Sequence, residues 1–325
     1  MIMKAILFYL LLIPLCSFSQ NENDTTIYLD STYSRTTDGN HKYYAIIKNT
    51  NRKKKEYEVT QYYLSGKIES KGLSKSNEYF DEIGEITSYY ENGNVKSLKY
   101  YKEHYPEGKC TFWHENGTKK AEGEYVIVPN KEFKDFKNSR LKIVNYWDDK
   151  NVQKVIDGEG ELEDDGFIET DHLHSVSNGK IKNGYKDENW IGKSKTPKIQ
   201  FSEVYKNGEL VSGTSIDESN QSHSYSEIMK RANPAGGIEV FYKYVQNNFI
   251  QPESQSFKGG KVLTKFDIDE NGFIVNVRNI KSLIPEVDIA AIKLFENFKK
   301  FMPAEYRGIK IKTSYIMPIT LLGNN

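Results

Sequence analysis

The chain has 325 residues, 45 basic and 45 acidic, and a mean hydropathy of −0.68. A net charge of zero removes any electrostatic case for nucleic acid or an anionic membrane surface. The 13% aromatic content and only 9 prolines argue against disorder over most of its length, and 2 cysteines cannot support a disulfide framework.

Met1 to Lys4 supply a positive start, residues 5–15 are apolar, and Ser17-Phe18-Ser19 place small residues before Gln20. This reads as a signal peptide over residues 1–19. The apolar run is shorter than the roughly 20 residues that span a bilayer. An uncleaved N-terminal anchor is the rival reading, while Leu15 argues against a lipid-modified Cys16. The expected location is the periplasm or cell envelope. Cys110 then remains as the sole cysteine, and its strand-like setting, Lys109-Cys110-Thr111-Phe112-Trp113, reads as a small buried side chain rather than a reactive thiol.

Residues 20–60 form a strand-rich segment, with strands at 42–48 and 56–63 around the basic tip Arg52-Lys53-Lys54-Lys55. Between residues 61 and 213 a short pattern recurs, aromatic or apolar positions followed by a polar residue and Gly. Its copies are Tyr62-Tyr63-Leu64-Ser65-Gly66, Tyr89-Tyr90-Glu91-Asn92-Gly93 and Trp113-His114-Glu115-Asn116-Gly117. Weaker ones centre on Tyr146-Trp147-Asp148-Asp149-Lys150, Ser177-Asn178-Gly179 and Tyr205-Lys206-Asn207-Gly208. Turns are therefore expected at 66, 93, 117, 150, 179 and 208. A hairpin of this kind cannot bury its own aromatic face, so stacking the next one yields an elongated array. The aromatic pairs read as glue between hairpins, with a ligand-binding stripe as the alternative.

Residues 214–235 are polar and Gly-flanked and read as a linker. Residues 236–325 follow the order α-β-β-α-β. Ile238, Phe241, Tyr242, Val245 and Phe249 recur at helical spacing. Val262, Thr264, Phe266 and Ile268 alternate as a strand, and Asn271-Gly272 turns it into residues 273–277. A second helix is expected over 287–301 and a long strand over 309–322. Pro318 inside that strand places it at a sheet edge, because proline donates nothing to a ladder. The expected fold class is thus α+β: a β-hairpin repeat array followed by a small α-β-β-α-β domain with an antiparallel sheet.

The hairpin copies resemble the MORN-like repeats of bacterial exported proteins, some of which are labelled antitoxin components. Further on, Gly260-Lys261-Val262, Phe266-Asp267-Ile268-Asp269-Glu270-Asn271-Gly272-Phe273-Ile274, Asp288-Ile289-Ala290-Ala291-Ile292, Phe301-Met302-Pro303-Ala304 and Tyr315-Ile316-Met317-Pro318-Ile319 fall in order. Together they resemble the TonB C-terminal domain, the periplasmic part of an energy transducer that engages outer-membrane receptors. Phe301 stands where that family usually has tryptophan, and Gln251-Pro252 where Tyr-Pro is common. A hairpin array also replaces its proline-rich spacer. The resemblance implies a transport-linked adaptor that docks an extended peptide of a protein partner, such as an outer-membrane receptor, by strand addition. The partner-binding residues would be Ile309, Lys310, Ile311, Lys312, Thr313, Ser314, Tyr315 and Ile316. Two alternatives stay open, a homodimer through the same edge and a structural or antitoxin-like protein that binds through its array.

Asp267-Ile268-Asp269-Glu270-Asn271-Gly272 opens like a calcium loop, but Arg278 stands where the bidentate Glu belongs. His172 and His174 with Asp171 are too few ligands for zinc. The acidic run from Asp157 to Asp171 reads as a solvated loop. No nucleophile elbow, phosphate loop or zinc-protease helix is present, so no catalytic site, metal or cofactor is expected.

Overall fold

The computed structural model describes residues 24–31, 33, 35–48, 56–76, 80–129, 137–168, 175–249, 259–298 and 300–322. The signal-peptide segment, the basic tip at 52–55 and the pair His172 and His174 lie outside them. Among the described residues no helix is long and apolar enough to cross a membrane.

A 17-stranded antiparallel sheet makes up most of the molecule. It starts with β1 (Thr25–Leu29), β2 (Tyr43–Lys48), β3 (Tyr57–Tyr63), β4 (Ile68–Ser74), β5 (Glu82–Tyr89) and β6 (Val95–Lys102). It continues with the two-residue β7 (Tyr105–Pro106), then β8 (Gly108–Trp113), β9 (Lys119–Pro129), β10 (Lys137–Trp147), β11 (Gln153–Ile156) and β12 (Glu159–Asp164). The last part is β13 (Ser175–Lys182), β14 (Tyr185–Lys195), β15 (Lys198–Lys206), β16 (Glu209–Asp217) and β17 (Ser222–Tyr225). Each strand pairs with the next in the chain, except that β8 skips β7 to pair with β6. The meander runs on unbroken through β9 to β17.

One face of this sheet is buried, as the strict alternation of β15 illustrates: Ile199, Phe201, Glu203 and Tyr205 point inward and their neighbours outward. Phe112, Ala121, Leu141, Ile143, Val155, Ile181 and Trp190 extend the same core across the middle strands. Turns fall at Gly66, Gly93 and Gly117, all at positive φ, and at residues 148–152 and 207–208. Position 179 is different. Gly179 lies inside β13 opposite Trp190, and a Cβ there would sit 2.5 Å from the indole Cγ. The glycine makes room for a ring, and the turn comes later, at Asn183-Gly184.

After the array come the short strands β18 (Met229–Lys230) and β19 (Asn233–Pro234), helix α1 (Ile238–Asn248), β20 (Gly259–Ile268), β21 (Ile274–Lys281) and helix α2 (Pro285–Glu296). Four more strands close the chain: β22 (Phe301–Met302), β23 (Ala304–Tyr306), β24 (Ile309–Ile311) and β25 (Thr313–Leu322). Pro285 at the first turn of α2, with Glu286 and Asp288 beside it, sets where that helix begins. Its buried side, Val287, Ala291, Leu294 and Phe295, packs with Phe241 of α1 and Phe266 of β20.

The α+β expectation is overturned. Among the described residues the structure is nearly all β, 62% strand with 2 short helices, and its C-terminal part is not a simple α-β-β-α-β unit. Strands there divide among three small sheets, β18-β23-β24, β19-β22 and β21-β20-β25. Residues 214–235, read as a linker, contribute β17, β18 and β19, two of which pair with strands near residue 300. The second helix stops at Glu296, and Phe301 belongs to β22 opposite Pro234. Such two- and three-residue strands have no periodicity to read, and their partners are remote in sequence.

Candidate partner-binding edge and cleft

Strand β25 pairs with β20 from Ile268↔Thr313 to Gly259↔Leu322, and among the described residues no strand pairs with its other side. Pro318 lies opposite Leu263 within that ladder. Residues of an antiparallel strand bond alternately to its two neighbours, so the pairing with β20 survives Pro318 when its missing donor falls on the open side. Ser314, Ile316 and Thr320 then present their backbone groups to that open side. Their side chains are exposed, while Tyr315, Met317, Ile319 and Leu321 turn toward the helices.

The long strand expected over 309–322 is broken at Lys312. Thr313, Ser314, Tyr315 and Ile316 begin the open strand β25, whereas Ile309, Lys310 and Ile311 form β24 and pair with Tyr306, Glu305 and Ala304 of another sheet. At the break, the Asp267 carboxylate accepts from Ser314 Oγ at 2.6 Å and Asn276 Nδ2 at 2.8 Å, and meets Lys312 Nζ at 3.2 Å. Burial works to raise the pKa of Asp267, but these three partners outweigh it and hold the carboxyl below its ordinary value.

Beside this edge lies a cleft of about 1910 Å³. Its walls come from both parts of the chain: Tyr101, Tyr125, Leu141 and Leu210 of the array face Phe301, Tyr315 and Met317, with the segment 227–234 along one side. Tyr315 Oη donates to the Ala232 carbonyl at 2.9 Å and so ties β25 to that segment. Lys99 also lines the cleft. Among the described residues it has no ion pair, its ammonium lies 5.5 Å and 5.8 Å from the Phe112 and Tyr125 ring centres, and desolvation depresses its pKa despite Glu69, Glu82 and Cys110 nearby.

The two parts are joined by a buried ion pair. Arg307, in the turn between β23 and β24, and Glu203, on β15, are both fully buried, with Nε to Oε1 at 2.7 Å. Tyr225 and Tyr205 donate to the same carboxylate at 2.7 Å and 3.0 Å. The guanidinium stacks 3.8 Å above the Phe201 ring centre and also meets the Tyr306 hydroxyl. Ser215 Oγ donates to the Arg307 carbonyl, and the Arg307 amide donates to Ile228 O, each at 2.7 Å. Nothing in the sequence marks this pair.

The aromatic pairs of the repeat are largely taken up in holding the array together. Tyr63 Oη donates to the Tyr89 carbonyl at 2.7 Å, Tyr90 Oη to Trp113 O at 2.8 Å, and His114 Nε2 lies 2.9 Å from Trp147 O. A carbonyl only accepts, so that imidazole nitrogen carries the proton. Asn92 and Asn116 likewise donate to Glu115 O and Asp149 O of the following turn. The second aromatic position and the Asn before Gly are therefore inter-repeat connectors, a rule visible in the spacing once the geometry is known.

The other candidate sites dissolve into structure. The Asp269 carboxylate accepts from the amides of Asn271 and Phe273 and shapes a hairpin turn. Asp164 pairs with buried Lys186 at 3.0 Å and Asp165 with Lys120 at 2.6 Å. Burial pushes the Cys110 thiol up to about 12, the mark of a packed side chain rather than a nucleophile. Among the described residues no group of three or more His, Cys, Asp or Glu side chains is placed to hold a metal ion.

No protein-family model and no curated protein matches this chain.

Proposed function

We propose that this chain is an exported binding protein of a cell envelope, working in the periplasm, whose β25 captures an extended segment of a partner by strand addition. Its resemblance to TonB C-terminal domains makes it a transport-linked adaptor and an outer-membrane receptor its first candidate partner. The observation that carries the reading is the ten-residue β25, paired among the described residues on one side only and bearing Pro318 where a ladder donor would otherwise be. Backbone bonding along such an edge supplies affinity without chemistry, and the exposed Ser314, Ile316 and Thr320 supply selectivity.

The test is recovery of outer-membrane receptors from envelope extract by the full chain and by an Ile316→Pro variant. The substitution removes one open-side donor while leaving the bonds to β20 in place. Receptors retained by both proteins alike would refute capture at β25. A shift from dimer to monomer in the variant, with no receptor recovered by either protein, would replace the adaptor reading by self-association at the same edge.

A further inference from the structure

A strand added beside β25 places its side chains alternately on the two faces of the sheet, each beside its neighbour on β25. On the exposed face it would meet Ser314, Ile316 and Pro318. On the other it would meet Tyr315 and Met317, and both of these line the cleft whose far wall is the array. Every second side chain of the incoming segment is therefore directed toward a surface built of tyrosine, leucine and methionine. Met302, 51% exposed, adds to the apolar lining from β22.

The charges of the cleft are asymmetric. Lys99, Arg140, Lys186, Lys230 and Arg231 line it against Glu209 and Glu227. Arg140 is engaged by Glu209 at 2.7 Å, Lys186 by Asp164 at 3.0 Å and Lys230 by Glu305 at 3.7 Å. Arg231 is exposed, one residue from the Ala232 carbonyl that Tyr315 binds, and its charge is felt at the Tyr315 phenol. It has no carboxylate partner among the described residues. An arginine in that setting favours a carboxylate from outside, which it can grip through two parallel bonds.

We propose that the array acts as the specificity wall of the β25 site: the captured segment is apolar at every second position, those side chains enter the cleft, and an acidic residue reaches Arg231. This rests on strand addition at β25 and adds the identity of what is added. It also assigns the array a role in recognition rather than in spacing alone.

The test uses the full chain and two fluorescein-labelled dodecapeptides of identical composition, read by anisotropy. Each holds valines, threonines and one glutamate. In the first, valine and threonine alternate, and in the second they are grouped in pairs. Burial of the alternating valines predicts binding at least about tenfold tighter for the first peptide. Met302→Glu, at an exposed position of the apolar lining, should erase most of that advantage; Arg231→Gln should weaken the first peptide several-fold, and exchanging the peptide's glutamate for glutamine should make the arginine variant indistinguishable from the parent. Equal binding of both peptides, lost in Ile316→Pro, would overturn the specificity wall and leave strand addition standing. Failure of both peptides to bind the parent chain would overturn both.

Discussion

Glu203 and Arg307 stand 104 positions apart and meet at 2.7 Å with no solvent exposure on either side chain. Because Tyr205, Tyr225 and Tyr306 complete their hydrogen bonds and Phe201 covers the guanidinium, the pair is satisfied on all sides. A buried pair of this kind costs much when halved and little when replaced as a whole. Arg307→Ala should therefore destabilise the chain by about 3–5 kcal/mol in urea unfolding. Replacing both residues, Arg307→Met with Glu203→Leu, should recover only part of the loss, since Tyr205 and Tyr225 would be left without an acceptor. A single variant as stable as the parent would show that the junction is not load-carrying.

Tyr90→Phe removes one bond between hairpins and leaves the Trp113 carbonyl without that donor. The expected cost is about 1 kcal/mol. The same change at Tyr63, whose hydroxyl reaches Tyr89 O, should cost a similar amount. Equal stability of both variants and the parent would mean that water replaces the connectors at no loss.

Gly179→Ala places a methyl 2.5 Å from the Trp190 ring inside a paired strand. Overpacking of this sort costs roughly 1–3 kcal/mol, and the displaced indole should alter the near-ultraviolet circular dichroism. Gly93→Ala, at a turn where a Cβ meets nothing within 4 Å, should leave the aromatic signal unchanged.

Asp267 has a folded pKa below its ordinary 3.8, so its stabilising contribution is complete above that value and is lost as pH falls through the lower folded one. Asp267→Asn should lower stability at neutral pH and flatten the acid limb of the stability curve. Glu69 carries the opposite sign. Burial raises its pKa, so its charged form is disfavoured in the folded state, and Glu69→Gln should raise stability at neutral pH while keeping an acceptor for Gln61. Stability curves from pH 3 to 8 for the two variants should therefore diverge in opposite directions from the parent.

Turn chemistry was the most legible part of the chain. Asn92-Gly93 and Asn116-Gly117 announce their hairpins because only a few residue types tolerate positive φ, and Pro318 announces an edge because it lacks a donor. The same dipeptide misleads at Asn178-Gly179, where glycine serves an opposing tryptophan rather than a turn. The α+β expectation failed for a related reason. Two helical stripes, at Phe241 and at Ala291, are easily seen, while the brief pairings Met229↔Tyr306 and Asn233↔Met302 leave no local trace. Pro318 makes the edge legible, but the break at Lys312 is not, since Ile309, Ile311, Tyr315, Met317 and Ile319 keep one period-two phase on both sides of it. The cleft and the Glu203–Arg307 junction depend on contacts between distant segments and were not readable at all.

The pairing of β18 with β23 and of β19 with β22 has a practical corollary for anyone who shortens this chain. A cut near residue 235 would strip two strand pairings, leave the Glu203 carboxylate without its cation, and bare the aromatic face of Phe201. Neither half would then be a faithful reagent: the array would end in a sticky, charged scar, and the C-terminal piece would lose the strands that seat Phe301. Deletion phenotypes in this protein should accordingly be interpreted as damage to the whole molecule, and point substitutions at surface positions are the cleaner scalpel.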